Sequence, residues 1–425
     1  MKESFLHLVW QQGLFEQTNL CTVQKENIQL YKKGVPNYLQ GPDFSNAIVE
    51  IGGVKWAGNI EIHIKSSDWY AHKHQKDKNY GNVILHVVYE HDVDVYDIYG
   101  NEISTLELKP CISKDLVNNY KELLTHKPKW IFCEDIIKNY DSFKLNKWLE
   151  RLYVERLERK VEEIEKIFTK QNSDWEATLF LMLSKYFGGN LNGSIFIQAF
   201  SQVDFSVIRK QINNKTTTPF LFGLTGLLSK DNIEDAYYQS LKKEFFYQKQ
   251  KYKIEDLILP SLNFYGCRPQ NFPTIRLAQL IAVYEKHQTL FAELLSTKTN
   301  IEDYKNIFKI ELDLYWQEHY NFEKISKKSK KQLSSSFINL LLINVVVPIL
   351  FLYHKTKGED VFYLLDLMYG MAPEKNNIIN KFYKLGVDTK SALHTQALLT
   401  LKKEYCSKER CAECSLGIDF IKNIK

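Results

Sequence analysis

Two acidic residues near the start of the chain have the setting of a divalent-metal site. Asp43 follows a proline in Gly41-Pro42-Asp43-Phe44, and Glu61 stands in Gly58-Asn59-Ile60-Glu61-Ile62-His63-Ile64-Lys65. Carboxylates at a strand start and on the next long strand are hard oxygen ligands for Mg²⁺ or Mn²⁺, with waters and a substrate phosphate completing the shell. Such an ion lowers the pKa of a bound water and offsets charge on a phosphoryl transition state. A cation or imidazole on the same strand face, Lys65 or His63, would orient that water or steady the phosphate. Six of the eleven histidines (His7, His63, His72, His74, His86 and His91) precede residue 92. A histidine-based metallohydrolase using His63, His72, His74 and His86 is therefore a second reading, which requires imidazole nitrogens converging on zinc. His86, mid-strand among apolar neighbours, also reads as a core histidine with a satisfied hydrogen bond. The bland alternatives are an ordinary solvated strand face for Glu61, His63 and Lys65, and a local turn role for Asp43.

A second constellation is Cys406, Cys411 and Cys414, spaced C-x4-C-x2-C. The C-x2-C half lets two thiolates face one centre across a tight turn, as zinc and iron–sulfur sites require. Candidates for a fourth ligand are Cys267, Cys133, Cys111 and His394, and spacing does not choose among them. Cys21, Cys111 and Cys133 are scattered and read as buried structural thiols. Arg268 and Arg276 flank a Pro-bounded stretch entering a helix. They could bind phosphate at its N-terminus or, the weightier reading, lie over aromatic neighbours. Gly223-Leu224-Thr225-Gly226 lacks the Lys-Ser/Thr of a phosphate loop, and no G-x-G-x-x-G or G-x-S-x-G stands in the sequence, so nucleotide-dependent and serine-hydrolase readings have no foothold.

Elements must position these groups. Glu3–Glu16 has helical spacing of Phe5, Leu6, Val9 and Trp10. Strands are expected over 22–31, 46–51 and 59–65. In the last, Ile60, Ile62 and Ile64 oppose Glu61, His63 and Lys65. The apolar run 83–89 suits a central strand, followed by a hairpin turning at Gly100-Asn101. From about Phe143 the pattern is helical: 144–170, 175–187 ending at Gly188-Gly189 with Asp174 as cap, 237–252, 274–295, 301–317 with Asn300 as cap, 337–353, 358–369 and 389–405.

The length of 425 residues exceeds one ordinary core, and 44% hydrophobic with 25% charged residues fits a folded protein. A net charge of +5 is too thin to argue for nucleic acid by itself. The apolar stretch 337–353 is short of a membrane span. Seven cysteines without a secretion signal favour a reducing compartment, hence a soluble cytoplasmic protein. The fold expected is α+β: a mixed α/β domain over residues 1–125, then a large all-α region over 140–425 ending in the cysteine cluster.

Asp43, the Glu61 strand and the order helix, strand, Pro-Asp, acid-bearing strand resemble the PD-(D/E)XK nuclease pattern over about the first quarter of the chain. The resemblance implies a restriction-endonuclease-like domain, Mg²⁺- or Mn²⁺-dependent cleavage of DNA or RNA, and Asp43 and Glu61 as metal ligands. It also implies Glu3 on the opening helix as an upstream acid. The sequence departs from the pattern where His63 fills the lysine position of the acid-X-Lys strand, with Lys65 one pleat further on. Some of these nucleases carry an iron–sulfur staple, which implies the same for the closing cysteines. The helical region would then clamp the nucleic acid. Over most of its length the chain is also similar to an uncharacterised bacterial family known only as a domain of unknown function. That likeness rests on Gly41-Pro42-Asp43-Phe44, Glu61-Ile62-His63 with Ser67-Asp68-Trp69, Arg268-Pro269 to Arg276-Leu277, and the cysteine cluster. It implies no activity. The remaining reading is a non-catalytic nucleic-acid-binding or scaffold protein that keeps a nuclease-like fold.

Overall fold

The computed structural model describes residues 1–37, 39–125, 130–255, 259–297 and 300–423. The chain forms two compact units: Met1–Leu149 with Asn376–Asp388 and Leu398–Lys425, and Glu150–Lys375 with Thr389–Ala397. It is mixed α/β, with an N-terminal sheet followed by helices. The cysteine-bearing tail, expected to close the helical region, instead groups with the sheet.

In the first unit, helix α1 (Glu3–Gln12) precedes a seven-stranded sheet. Its strands are β1 (Leu20–Cys21), β2 (Asn27–Lys32), β3 (Val35–Pro36), β4 (Phe44–Ile51), β5 (Val54–Lys65), β6 (Val83–Glu90) and β7 (Thr105–Glu107). Their order is β1-β2-β4-β5-β6-β7, with β3 paired to β4. Pairing is antiparallel up to β5, then parallel from β5 to β6 and from β6 to β7. The alternation expected on β5 is present: Ile60 and Ile62 join Phe5, Leu6, Val9 and Trp10 of α1 in the main core. The chain does turn at Asp97–Asn101, where Asp97 N donates to Asn101 O at 2.8 Å. The expected hairpin continues through the antiparallel Tyr96–Glu102 bridge and Ile103 N donating to Val95 O at 2.9 Å, but Thr105–Glu107 beyond it pairs with β6 in parallel. The excursion between β6 and β7 is long enough to reverse direction twice.

A parallel β5–β6 pair needs a crossover over one sheet face. Residues 66–82 provide it through helix α2 (Asp68–Ala71) and the single turns His74–Lys76 and Lys78–Tyr80. Trp69 anchors it, fully buried in a small second core with Val83, Val95 and Ile103, its indole N–H donating to Tyr96 O at 3.1 Å.

The second unit is helical. Asp174 caps the helix Trp175–Phe200 by accepting from Ala177 N at 3.0 Å. Gly188-Gly189, expected as the helix end, is a kink at Gly189 (φ 62°, ψ −161°). The helix resumes because Ile195, Phe196, Ala199 and Phe200 have a core to enter. Two expected helices are interrupted: 274–295 becomes Pro273–Lys286 and Leu290–Ser296, and 301–317 becomes Ile301–Ile307 and Leu314–Glu318. The apolar stretch expected to fall short of a membrane span lies in a 23-residue helical segment, Ser335–Lys357, that meets the length and apolarity of one; 67% of its most apolar window is buried inside the protein, as in a core helix.

Lys160 in this unit donates to Tyr186 Oη at 2.9 Å, and burial, with Arg156 nearby, lowers its pKa from 10.5 to about 7. Between those values the unfolded chain holds more protons than the folded one, so stability rises with pH across that window. Lys160→Met is therefore expected to stabilise the protein at pH 7 by on the order of 2 kcal/mol. The gain should fade toward pH 10, as guanidinium denaturation at the two pH values would read. An equal shift at both would show that packing, not charge burial, was changed.

Candidate metal centre on the central strands

Phe44 pairs with Ile60 in the β4–β5 ladder, which sets Asp43 beside Glu61. The two residues clasp reciprocally: Asp43 N donates to Glu61 Oε2 at 3.0 Å, and Ile62 N donates to Asp43 Oδ2 at 3.0 Å. Glu61 and His63 are only 5% and 1% exposed, so the reading of an ordinary solvated strand face is overturned. The crossover lies over them.

Three histidines converge there. Lys73, in the left-handed region at φ 64°, breaks the helical path between His72 and His74. Ring centroids of His63 lie 5.0 Å from His72 and 5.3 Å from His74, and those of His72 and His74 are 5.4 Å apart. One ring nitrogen of each lies within 4.8 Å of the other two. Glu61 Oε1 stands 3.3 Å from His74 Nε2 and 3.6 Å from His63 Nε2. His63 Nε2 is also 3.1 Å from His72 Nδ1. His74 stacks on Tyr80 at 3.8 Å.

His63 Nδ1 meets His86 Nε2 at 2.8 Å. The core-histidine reading of His86 is half right: it is fully buried and bonded at Nε2, but its Nδ1 has no hydrogen-bond partner. Burial, reinforced by His74 and His72, lowers the His63 pKa to about 4, and burial pushes His86 well below its ordinary value. Both rings are neutral near pH 7. If Nδ1 of His63 donates to His86, its Nε2 lone pair faces His72 and Glu61, the tautomer a metal ligand needs. Burial raises the Glu61 pKa, countered by His74 and reinforced by Asp43.

On α1, Glu3 stands close enough for His72, Asp43 and His7 to act on it, and burial raises its pKa. His7 Nε2 lies 3.2 Å from Asp43 Oδ2. Burial lowers the His7 pKa, but the bond to Asp43 and its charge raise it further, for a net increase. His7 was not singled out from sequence, although it follows Glu3 by four residues and so shares its helix face.

The donor set fits a divalent ion: the buried Glu61 carboxylate and His63 ring meet His74 and the exposed His72, each imidazole offering a nitrogen close to the other two. Lys65 is not part of the group. It is exposed at the end of β5, and its backbone N–H donates to Asp68 Oδ2 at 3.0 Å. Arg276, in the second unit, stacks on Phe337 at 3.7 Å and bonds Gln279 and Asn271. Burial lowers its pKa to about 10. The packing reading of Arg276 accounts for these contacts. Arg268 is exposed.

A family model described as "Protein of unknown function (DUF2851)" matches residues 3–377. No curated protein and no solved structure matches the chain.

Proposed function

Because this chain belongs to the DUF2851 family, whose description names no activity, its histidine–carboxylate group must carry the functional reading. We propose that the protein is a metal-dependent phosphodiester hydrolase acting on nucleic acid through a PD-(D/E)XK-like site. The observation that carries this reading is the convergence of His63, His72 and His74 beside Glu61, with Asp43 clasped to the same strand. The order α1, β2, β4, β5, crossover, β6 supports a restriction-endonuclease-like core. A bound divalent ion would lower the pKa of a water and neutralise phosphate charge.

In this reading Glu61, His63, His72 and His74 hold the ion. Imidazole suits Mn²⁺ or Zn²⁺ better than Mg²⁺, which prefers an all-oxygen shell. His86 fixes the His63 ring and tautomer from behind, as partners of metal-bound histidines do. His7 holds Asp43, and Glu3 lies at the rim as a further acid. Seven free cysteines suit a reducing, cytoplasmic setting.

Nucleic acid is favoured as substrate by the crossover itself, since Lys73, Lys76 and Lys78 are exposed around His72 and His74. Replacing all three by alanine is expected to flatten the slope of log affinity against log salt by roughly 2 to 3, at about 0.7 to 0.9 per lost phosphate contact. An unchanged slope would place the polyanion elsewhere.

The test is cleavage of labelled single- and double-stranded DNA and RNA with Mn²⁺, Zn²⁺ or Mg²⁺, beside a chelator-stripped sample. Metal-dependent cleavage is expected. Binding without cleavage of any substrate would replace the hydrolase by a scaffold with a nuclease-like fold.

A further inference from the structure

Separated stretches of chain bring four cysteines together in the first unit. Cys406 ends the segment Leu401–Cys406, Cys411 opens the short turn Cys411–Glu413, and Cys414 follows it, immediately before the helix Ser415–Asn423. Cys133 comes from far upstream, directly before the helical turn Glu134–Ile137. With Leu123 and Phe132 the four thiols line one small cavity of about 20 Å³. None is in a disulfide.

Burial raises the pKa of all four thiols, so these sulfurs carry charge only where a cation offsets it. Cys414 is the most buried of them, with Trp148 and the backbone of Leu416 and Gly417 beside it partly countering the effect of burial. The turn is tight: a Cβ on Gly417 would stand 2.1 Å from the Cys411 carbonyl oxygen. Four sulfurs in one buried pocket otherwise gain little over ordinary apolar side chains.

We propose that Cys133, Cys406, Cys411 and Cys414 are the four ligands of a thiophilic metal centre, a zinc ion or an iron–sulfur cluster. Cys133 completes the set that the C-x4-C-x2-C spacing leaves one short. Zinc binding forms four Zn–S bonds and releases four thiol protons to solvent. A cluster delivered already assembled exchanges its carrier ligands for the same four thiolates, with no change of oxidation state. Either centre ties residues 406–414 to Cys133 within the first unit. The assignment is independent of the hydrolase reading.

The test begins with the full-length protein purified under exclusion of air, its zinc, iron and acid-labile sulfide measured together with its visible spectrum. One zinc per chain that persists in His72→Ala, His74→Ala protein, without colour, identifies the ion; iron matched by sulfide, with broad visible absorption, identifies the cluster. Cys133→Ser is expected to lower the bound metal at least tenfold, while Cys111→Ser retains it in full. X-ray absorption at the metal edge reads the ligands in protein whose histidine group is disabled by His72→Ala with His74→Ala, so a misfolded Cys133→Ser would not obscure the answer. That spectrum is expected to show all-sulfur coordination, from thiolates alone for zinc and with bridging sulfide for a cluster. Native protein without stoichiometric metal would overturn the assignment, as would folded Cys133→Ser with its metal intact, or nitrogen and oxygen coordination in the His72→Ala, His74→Ala protein.

Discussion

Glu61→Gln is expected to abolish metal-dependent cleavage, by on the order of a thousandfold, while leaving the fold in place. Glutamine has the same shape, and its carbonyl can still accept the Asp43 N–H that Glu61 Oε2 takes at 3.0 Å. The variant loses the negative oxygen beside His63 and His74, and with it the anionic ligand that accompanies the imidazoles. The sign of the stability effect is a second check. Burial raises the Glu61 pKa, so in metal-free protein the folded state binds the proton more tightly, and stability falls as pH rises from the ordinary carboxylate value through the raised one. Removing the charge should therefore raise the melting temperature at pH 7 in chelator. With Mn²⁺ present the order should reverse, because only native protein gains the full binding energy. Cleavage by Glu61→Gln at the native rate would remove Glu61 from the mechanism.

Gly58→Ala is expected to cost about 3 kcal/mol or more of stability and to take the activity with it. A Cβ at Gly58 would lie 2.4 Å from Ile84 Cγ2 and 2.7 Å from the Asn82 carbonyl oxygen. A side chain can rotate away, but that carbonyl cannot, because it accepts from Asn59 N at 2.8 Å. Strand β5 must then shift against β6 just before Glu61 and His63, at a point where the β5–β6 register is already irregular between Asn59 and Ile60. A control is Gly53→Ala in the β4–β5 turn, where nothing lies within 4 Å and φ is +83°. There only backbone strain opposes the methyl group, costing about 1 kcal/mol. Denaturant midpoints of the two variants would separate the effects. Equal midpoints would show that the strand contact at Gly58 relaxes cheaply.

Much of the sheet was legible in the sequence because period-2 alternation is a local signal. Ile60, Ile62 and Ile64 against Glu61 and His63 defined β5 and its polar face. The burial of that face was not legible, since it depends on the crossover folding back over it. His72 and His74 stood out as possible ligands, but spacing alone could not place them: three dimensions bring them to His63. Lys65 was misjudged because strand periodicity says which way a side chain points and not where the strand stops being covered. Gly188-Gly189 carried a stop signal that the buried aromatic face of the following residues overrode. The spacing of Cys406, Cys411 and Cys414 marked them as a group, whereas Cys133, which lines the same cavity, stands 273 positions before Cys406, where no local pattern reaches.

The tail's place in the first unit has a consequence during synthesis. Ala412 and Ile421 sit in the same core as Phe5, Leu6 and Tyr120, and Asn119 Nδ2 donates to Ile421 O at 3.2 Å. A ribosome makes all of Glu150–Lys375 before those covering residues emerge, a delay on the order of ten seconds or more at cellular elongation rates. Throughout that interval the apolar faces of α1 and the segment around Tyr120 lack their cover, so the nascent sheet is a client for chaperones before it is a finished core. The histidine group rests on that sheet, so the core beneath it is closed only at the last stage of translation.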